Sequence, residues 1–399
     1  MSPDLKRARA ALDIFEQVVE LDADRCRSFL DRVCAGDEVL RREVESLLDS
    51  EATAGTFLEK PALDASTIDP EPHHSYVGQH IGRYHVRSVI AEGGMGVVYS
   101  AVQEQPHRTV ALKVMKRGIA SRQALRRFQY EAQVLSRLSH PAIAQIHEAG
   151  MHDDGTGSVP YFAMEYIPGA CTITDYARRQ SLDKKARIAL FLQICEGVDH
   201  GHQKGIIHRD LKPGNLLIDS SGRVKIIDFG VARATDADLA ITTLQTDIGQ
   251  LIGTLPYMSP EQCRADPHDL DTRSDVYSLG VVLYELLTDQ LPYKLTDTPI
   301  PEIIRIIQDT PPIRPSTIDR TVRGDLETII LKALAKERDR RYESVAALAS
   351  DIKRYLQYEP IEARPPSAIY QMQKYCRRHR VAVGSGVIIT ALLVTGIIS

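Results

Sequence analysis

The sequence lacks a CxxC pair, a strong excess of charge of either sign, and an apolar stretch near its N-terminus. Its six cysteines are scattered without metal-ligand spacing, which argues against a structural zinc site and favours free thiols in a reducing compartment. A formal net charge of −4 over 399 residues gives no reason to expect a nucleic-acid partner. Because no signal peptide is visible, we expect the bulk of the chain to stay in the cytosol.

The first 82 residues separate into two segments. Residues 1–50 carry apolar side chains at helical spacing, for example Leu12, Phe15 and Val19, which predicts a helical N-terminal extension. We interpret the extension as a solvated or packing element, with a regulatory docking module as the alternative. Residues 51–82 lose the apolar period and contain three prolines, which is typical of a linker.

The last part of the chain changes in composition. Residues 358–380 end in a basic cluster, and residues 381–399 contain no charged side chain. At about 1.5 Å per residue, a helix of this length spans most of a hydrocarbon core of roughly 30 Å. We therefore predict a basic juxtamembrane segment and a single-pass transmembrane helix in the cell membrane, with the lipid bilayer as partner and the rest of the chain cytoplasmic. A buried terminal helix is the alternative, and the anchor would belong to a tail-anchored protein or to a piece of a longer receptor.

The stretch at 206–230 concentrates polar groups suited to metal and hydroxyl chemistry. Asp210, Asn215 and Asp228 stand at fixed intervals, separated or flanked by short apolar, β-prone runs. These runs on either side of Gly222 predict a loop, a strand, a turn, a second strand and a second loop. Such a hairpin would hold the two loops side by side, and their side chains supply the hard oxygen ligands that Mg²⁺ prefers.

A glycine-rich stretch lies between two candidate strands nearer the N-terminus. Alternating polar and apolar residues at 83–90 predict the first strand, and Gly93, Gly94 and Gly96 precede the second. Small residues at such a turn let backbone amides approach phosphate oxygens, since any Cβ atom would hold them away. A third candidate strand carries Lys113.

These stretches together resemble one family. HRDLKPGN followed by DFG, the glycine-rich turn followed by VALK, and the segment GTLPYMSPE are similar to motifs of the eukaryotic-type serine/threonine protein kinases, of the membrane-anchored bacterial kind. The resemblance covers about residues 84–356. It implies an α+β, two-lobed protein kinase fold over 83–357, with a small β-rich N-lobe and its C-helix at 83–166 and a large helical C-lobe at 167–357.

The resemblance implies a role for each residue of the catalytic machinery. Asp210 would orient the acceptor hydroxyl and take its proton, and Lys212 would reach the γ-phosphate. Lys113 would contact the α- and β-phosphates of ATP and be held by Glu131 of the C-helix, for which an ordinary surface position is the alternative. The two Mg²⁺ ligands would be Asn215 and Asp228.

ATP would lie between the lobes. The resemblance places Met164 at the back of the adenine pocket and assigns the Glu165 carbonyl and the Ile167 amide to the adenine edge. The residues that it implies around ATP are Ile90, Ala91, Glu92, Gly93, Gly94, Met95, Gly96, Val97, Val98, Ala111, Lys113, Met164, Glu165 and Ile167. The sequence departs from the family pattern at Ala91, where a glycine is expected, and we predict weaker or less mobile nucleotide clamping rather than loss of binding.

Further positions concern the substrate and the activation segment. Lys212 implies specificity for serine and threonine rather than tyrosine, with Thr254 on the substrate-side wall beside it. Arg209 implies an anionic partner, which phosphorylation of the activation segment would supply. The candidate phosphorylation sites are Thr242, Thr243 and Thr246.

Other residues of the pattern are structural. Asp275 is expected to brace the backbone of the catalytic loop, and Glu261 to pair with Arg341. Ser259 stands where the family has alanine, a replacement from which we expect little physical consequence.

We therefore predict an enzyme that transfers the γ-phosphate of ATP to Ser or Thr hydroxyls of proteins in membrane-linked signalling, with ATP and Mg²⁺ as cofactors and activation by autophosphorylation. A homodimer that phosphorylates in trans is left open as a partner. One alternative is a pseudokinase scaffold, which the complete set of catalytic residues disfavours. Another is a small-molecule kinase of related fold, which the complete GTLPYMSPE segment disfavours.

Overall fold

The computed structural model describes residues 75–93, 96–115, 138–153, 158–229, 253–264, 271–296 and 298–365, together with Phe29 and residues 367, 370–372, 374 and 378. By its internal contacts the chain divides into two compact units, residues 1–75 and 76–399. The elements below belong to the second unit. Within the part of the chain that is described, no helix combines the length and apolar composition that a membrane crossing requires.

An antiparallel six-stranded sheet forms the N-terminal lobe of this unit. Its strands are β1 (His80–Ile81), β2 (Tyr84–Gly93), β3 (Gly96–Gln103), β4 (Arg108–Met115), β5 (Ile146–Asp153) and β6 (Ser158–Glu165). The order across the sheet is β1-β2-β3-β4-β6-β5, so β4 lies inside the sheet and β6 separates it from β5. The predicted strand that carries Lys113 is therefore a central strand.

The two faces of β4 pack against different cores. Val110, Leu112 and Val114 belong to a cluster on the outer face of the sheet, whereas Ala111 and Met115 join the main core shared with the helical lobe. Side chains alternate between faces along a strand. Lys113 therefore shares the face of Ala111 and Met115 and points toward the helical lobe.

The C-terminal lobe is helical. In the described ranges its helices are α1 (Ile173–Arg179), α2 (Lys184–Gln203), α3 (Pro260–Cys263), α4 (Thr272–Thr288), α5 (Ile300–Asp309), α6 (Pro315–Ile318), α7 (Asp325–Ala333) and α8 (Val345–Leu356). An unbroken run of buried residues from Ser274 to Tyr284 shows that α4 is buried on all sides and is therefore the central helix of the lobe. The Asp271 side chain caps its N-terminus by accepting the Arg273 N–H.

A short second sheet carries the loops of the predicted hairpin. Its strands are β7 (Cys171–Thr172), β8 (Leu216–Ile218) and β9 (Val224–Ile226), in that order. Gly222 forms the turn between β8 and β9 with φ of 81°, a value that favours glycine. The predicted loop, strand, turn, strand and loop at 206–230 is confirmed.

Beyond α8 the chain remains in contact with the helical lobe. Two backbone N–H groups, of residues 362 and 363, donate to the Asp351 carboxylate of α8 at 2.6 and 2.9 Å. The Tyr370 hydroxyl donates to Asp325 at the start of α7 at 3.0 Å and accepts the Ile361 N–H at 3.1 Å. We call the described residues between 358 and 378 the strap.

Basic side chains of the strap also engage carboxylates. Lys374 is buried and forms an ion pair with Asp325, and Arg378 lies 3.0 Å from Glu359. The guanidinium of Arg364 lies 4.6 Å from the centre of the Tyr370 ring. Part of the basic character between 358 and 380 is thus used within the folded chain.

Candidate active site

A buried carboxylate holds the turn that precedes the catalytic residues. Asp275 of α4 is fully buried and accepts the backbone N–H groups of His208 at 2.8 Å and Arg209 at 2.9 Å, which confirms its bracing role. His202 Nε2 lies 2.7 Å from the same carboxylate. Burial favours a higher pKa for Asp275, but the bonds from His202 and the backbone outweigh it and hold the pKa below its ordinary value.

The two carboxylate oxygens of Asp210, the candidate base, differ in their contacts. Its Oδ2 atom accepts Asn215 Nδ2 at 2.9 Å and lies 3.0 Å from Lys212 Nζ. Its Oδ1 atom is buried and has no hydrogen-bond partner among the described residues. Because a buried acceptor without a donor is unfavourable, this atom is suited to accept the proton of an incoming hydroxyl.

Lys212 joins the base to the close of the activation segment. Its Nζ atom donates to Thr254 Oγ1 at 2.6 Å. Thr254 directly precedes a short 3-10 turn, Leu255–Tyr257. The predicted place of Thr254, beside Asp210 and Lys212, is confirmed.

An ion pair between the lobes joins the lysine of β4 to the second loop. Lys113 Nζ lies 2.7 Å from Asp228 Oδ2, and Lys113 is only 7% exposed. A buried ammonium needs such a partner, since an unpaired charge is costly in the interior. Asp228 itself has φ of 57°, a strained backbone value for a residue that is not glycine, and such strain is often found at functional positions.

Asn215 and Asp228 are held beside each other through the backbone. The Ile227 N–H donates to the Asn215 carbonyl at 3.0 Å. The Asn215 Nδ2 atom donates to the carbonyl and the carboxylate of Asp210, so the carboxamide oxygen is the atom that remains for a cation. With one oxygen from each residue, the pair fits Mg²⁺, which protein sites hold through few side chains when phosphate and water supply the other ligands.

Phe229 packs behind the catalytic loop. Its ring centre lies 4.9 Å from that of His208. Gly201 of α2 makes room for it, because a Cβ atom there would overlap the Phe229 Cζ atom. His208 Nδ1 accepts the Asp210 N–H at 3.3 Å, and Nε2 lies 3.1 Å from the Ile227 carbonyl, so both ring nitrogens hold the backbone of the catalytic loop and of the second loop.

The glycine-rich turn closes between β2 and β3. The register of these strands ends in the pair Gly93 and Gly96. Gly96 has φ of 154°, and a Cβ atom there would overlap the Val114 carbonyl oxygen of β4, so only glycine fits. Ala91 is an exposed strand residue opposite Val98, and its φ is not among the positive values that favour glycine.

Residues assigned to the adenine pocket lie at the inner face of the sheet. Ala111 on β4 stands directly opposite Met164 on β6, and both belong to the main core. Val98 packs against the same core, and Ile90 is 47% exposed on β2. An apolar wall of this kind suits a flat heterocycle.

The junction between the lobes is fixed by a second ion pair, which no sequence pattern predicts. Glu165, the last residue of β6, accepts from Lys225 Nζ of β9 at 2.7 Å. The Glu165 N–H donates to the Gln145 carbonyl at 2.9 Å. Ile167, assigned to the adenine edge, follows as a half-buried residue of the connection.

Ser259 is more than a neutral replacement for alanine. It is fully buried and caps α3 in a reciprocal arrangement with Gln262, in which each side chain bonds the backbone N–H of the other. Gln262 Nε2 also donates to the Arg209 carbonyl at 2.6 Å. Ser259 therefore helps to connect the close of the activation segment with the catalytic loop, and our expectation of little consequence was wrong.

The predicted pair of Glu261 and Arg341 is confirmed and is buried. Two guanidinium nitrogens contact the two carboxylate oxygens at 2.7 Å each, and Ser274 Oγ donates to the same carboxylate. Burial favours a higher pKa for Glu261, but the guanidinium outweighs it and holds the pKa below its ordinary value. The pair ties α3 to the segment before α8.

Some predicted residues lie outside the described part of the chain. Glu131 and the rest of the candidate C-helix are among them, as are the spanning segment 381–399 and, apart from Phe29, the helical extension 1–50. The others are Gly94, Met95, Thr242, Thr243 and Thr246.

Comparison with known proteins gives one consistent result. The protein kinase domain model matches residues 84–352. The serine/threonine-protein kinase PknB of Mycobacterium leprae (strain TN) is 37% identical over 296 residues, 74% of this chain and 46% of that protein. PknB of Mycobacterium tuberculosis (strain ATCC 25177 / H37Ra) is 39% identical over 283 residues, 70% of this chain and 44% of that protein. The chain thus spans less than half the length of these relatives.

Solved structures agree on the fold. One crystal structure of the Mycobacterium tuberculosis PknI kinase domain superposes with a TM-score of 0.54 at 24% identity, covering 70% of this chain and 98% of that one. Another crystal structure of the same kinase domain gives a TM-score of 0.52 at 25% identity, with 69% and 97% covered. With the matched domain model and the relatives above, these findings show that the chain belongs to the protein kinase domain family, within its bacterial serine/threonine branch.

Proposed function

We propose that this chain is an ATP-dependent protein kinase that phosphorylates Ser and Thr hydroxyls. The observation that carries the proposal is the Oδ1 atom of Asp210, which is buried and has no hydrogen-bond partner among the described residues. The other carboxylate oxygen, Oδ2, contacts Lys212 and Asn215. The membership of the family and the names of the relatives support the same activity.

The residues of the chain would act by positioning and by proton transfer. Asp210 Oδ1 would accept the hydrogen bond of the acceptor hydroxyl and take its proton as the oxygen attacks. Lys212 and Lys113 would place positive charge beside the transferred and the remaining phosphates. When bound at Asn215 and Asp228, Mg²⁺ supplies further neutralisation of phosphate charge.

The choice of Ser and Thr is supported by the contact between Lys212 and Thr254. The 2.6 Å bond fixes the Lys212 ammonium next to the base, at the side where a protein substrate would approach. A short acceptor side chain would place its oxygen at Asp210 while its backbone lies along the segment that contains Thr254.

Transfer of the γ-phosphate from labelled ATP to a generic protein substrate tests the proposal. We expect the wild type to label serine and threonine, and Asp210→Asn to lower turnover by about 10²–10⁴. Asp199→Asn on α2, which alters a carboxylate bonded to Gln203 of the same helix, is the matched control and should retain activity. Absence of protein labelling by the wild type would favour the scaffold alternative, and labelling of small hydroxyl compounds alone would favour the small-molecule kinase.

We infer that phosphorylation of the activation segment raises this activity. The Arg209 carbonyl is tied to Gln262 and its N–H to Asp275, so the backbone of this arginine is fixed where a phosphothreonine could be bound. The alanine variant at residues 242, 243 and 246 should lose activation by preincubation with ATP. Unchanged turnover, with no phosphate on this segment by mass spectrometry, would rule the idea out.

A homodimer that phosphorylates in trans is testable with the same reagents. Wild-type chain mixed with an Asp210→Asn chain of different mass should phosphorylate the inactive copy at a rate that rises with concentration. A rate independent of concentration would point to phosphorylation within one chain.

We propose further that residues 381–399 anchor the chain in a membrane with the kinase domain on the cytoplasmic side. The uncharged composition and the basic flank support this. The full chain should remain in the membrane fraction after carbonate extraction, and a chain ending at residue 380 should be released. Release of both would exclude the anchor without affecting the proposed catalysis.

A further inference from the structure

A charged cleft lies on the helical lobe between the close of the activation segment, α5 and the segment after α7. Its volume is about 390 Å³. The residues that line it are Glu261, Arg264, Gln308, Asp309, Lys336, Glu337 and Arg338. Of these, only Glu261 belongs to the motifs considered above, and its charge is already matched by Arg341.

Lys336 forms part of the cleft wall and has unusual partners for an ammonium group. Its half-buried Nζ atom donates to the Tyr293 hydroxyl at 2.8 Å and to the Ile307 carbonyl, and it lies 4.4 Å from the centre of the Tyr293 ring. Within the described residues no carboxylate lies at ion-pair distance from it. Two of its three N–H positions are thus taken by neutral acceptors, and the third is available to the cleft.

The surroundings make the neutral amine of Lys336 more accessible than that of an ordinary lysine. Burial, and then the positive charge of Arg341, lower the pKa of Lys336 to about 8, while Asp309 and Cys263 act in the opposite direction. A neutral amine can keep both of its bonds, because they require only two N–H groups, and its lone pair then occupies the third position. That arrangement is a nucleophile held in place.

Charged groups at the rim are suited to an anionic leaving group. Arg264 is exposed, and Arg338, 3.6 Å from Asp271, lines the same cleft. Guanidinium groups bind phosphate oxygens through paired N–H donors. The carboxylates of Asp309 and Glu337 would repel an anion. Glu337 lies 3.9 Å from Arg340, and the guanidinium of Arg340 offsets part of the negative charge of Glu337.

We propose that Lys336 is an acylation site that accepts the acyl group of a small acyl phosphate bound in this cleft. The Nζ lone pair forms a bond to the acyl carbon, and the bond from that carbon to the phosphate oxygen breaks. Inorganic phosphate leaves with the bonding electrons toward the guanidinium groups, and Nζ releases one proton to solvent. The product is a neutral amide, which removes a buried charge and alters the contact between Lys336 and the Ile307 carbonyl of α5.

The full chain incubated with acetyl phosphate, followed by peptide mapping with mass spectrometry, tests this site. We expect Lys336 to be acetylated at least about tenfold faster than Lys294, an exposed lysine on the neighbouring segment, because at pH 8 about half of the Lys336 side chains would be neutral against well under 1% of an ordinary lysine. The rate at Lys336 should rise through a midpoint near pH 8 and should saturate with acetyl phosphate.

A second acyl donor, one that carries no phosphate group, tests the role of the guanidinium groups. Arg264→Gln should slow acetylation of Lys336 by acetyl phosphate several-fold while leaving its reaction with p-nitrophenyl acetate unchanged. Equal rates at Lys336 and Lys294 in the folded chain would overturn the site. No effect of Arg264→Gln on the acetyl phosphate reaction would overturn the assignment of the donor. Neither readout depends on kinase activity, so the result is independent of the proposed function.

Discussion

At the scale of single residues, the contact between Gly201 and Phe229 shows how a small side chain can serve a loop distant in sequence. Alanine normally stabilises an exposed helix position by about 0.5–1 kcal/mol relative to glycine. Here the added methyl group would overlap the Phe229 ring. We expect Gly201→Ala to destabilise the chain by about 1–3 kcal/mol and to lower turnover, because Phe229 adjoins Asp228.

Gly197→Ala is the matched control on the same helix. Its Cβ atom would meet the Cδ1 end of Ile226 at 2.7 Å, which a flexible side chain can yield more easily than a ring packed on His208. Thermal unfolding and initial rates should show a larger loss at Gly201 than at Gly197. Equal effects would mean that the place of Phe229 does not depend on Gly201.

A second prediction at this scale concerns Glu261. Its pKa is depressed in the folded chain, so its contribution to stability is present above the unfolded pKa of about 4.3 and is lost as the pH falls through the lower folded value. Glu261→Gln should cost about 3 kcal/mol at pH 7, because Arg341 remains buried without a counter-charge. Chemical denaturation should show this difference shrinking below pH 4, whereas Glu302→Gln, at an exposed position of α5, should have little effect at either pH.

At the scale of elements, the strap extends the helical lobe beyond residue 352, where the match to the protein kinase domain model ends. The Tyr370 hydroxyl serves both Asp325 and the Ile361 N–H, so Tyr370→Phe leaves a buried N–H without its acceptor. We expect a loss of about 1–3 kcal/mol. Hydrogen exchange should become faster at residues 361–363, while Tyr358→Phe, 48% exposed, should leave exchange unchanged. Unchanged exchange in Tyr370→Phe would mean that other contacts hold the strap.

Elements with a local signature were predicted well from sequence. Short apolar, β-prone runs predicted β8 and β9. Asp210, Asn215 and Asp228 were found because they lie in one short stretch. The strap and the pair of Glu165 and Lys225 were missed, since each depends on residues that only the tertiary fold brings together. The cap at Ser259 was missed although Ser259 and Gln262 stand at the local spacing of a capping box, and only the bond from Gln262 to the Arg209 carbonyl depends on the tertiary fold.

At the scale of the whole molecule, the ion pair between Lys113 and Asp228 makes the two lobes dependent on each other. A ligand that binds only the folded chain raises stability by about 2.7 kcal/mol at 100 times its dissociation constant. ATP with Mg²⁺ should therefore raise the unfolding temperature of the wild type, and chelation of the metal should reduce the shift. In Asp228→Asn the rise in unfolding temperature should be as small as that of the wild type without Mg²⁺, whether or not Mg²⁺ is present.

Loss of the metal effect in Asp228→Asn must be distinguished from a general defect. Asp199→Asn provides the reference, since it lies on α2 and retains every residue assigned to the metal. A shift in the wild type that is insensitive to chelation would contradict the assignment of Asn215 and Asp228.

The strap also has a mechanical consequence. A pulling force applied at Arg378 would load its ion pair with Glu359 together with the bonds from Lys374 and Tyr370 to Asp325, near the start of α7. Tension would thus be resisted by contacts with three carboxylates, those of Asp325, Asp351 and Glu359. In single-molecule stretching from the C-terminus, the first rupture should therefore release the strap alone and leave the kinase lobes folded.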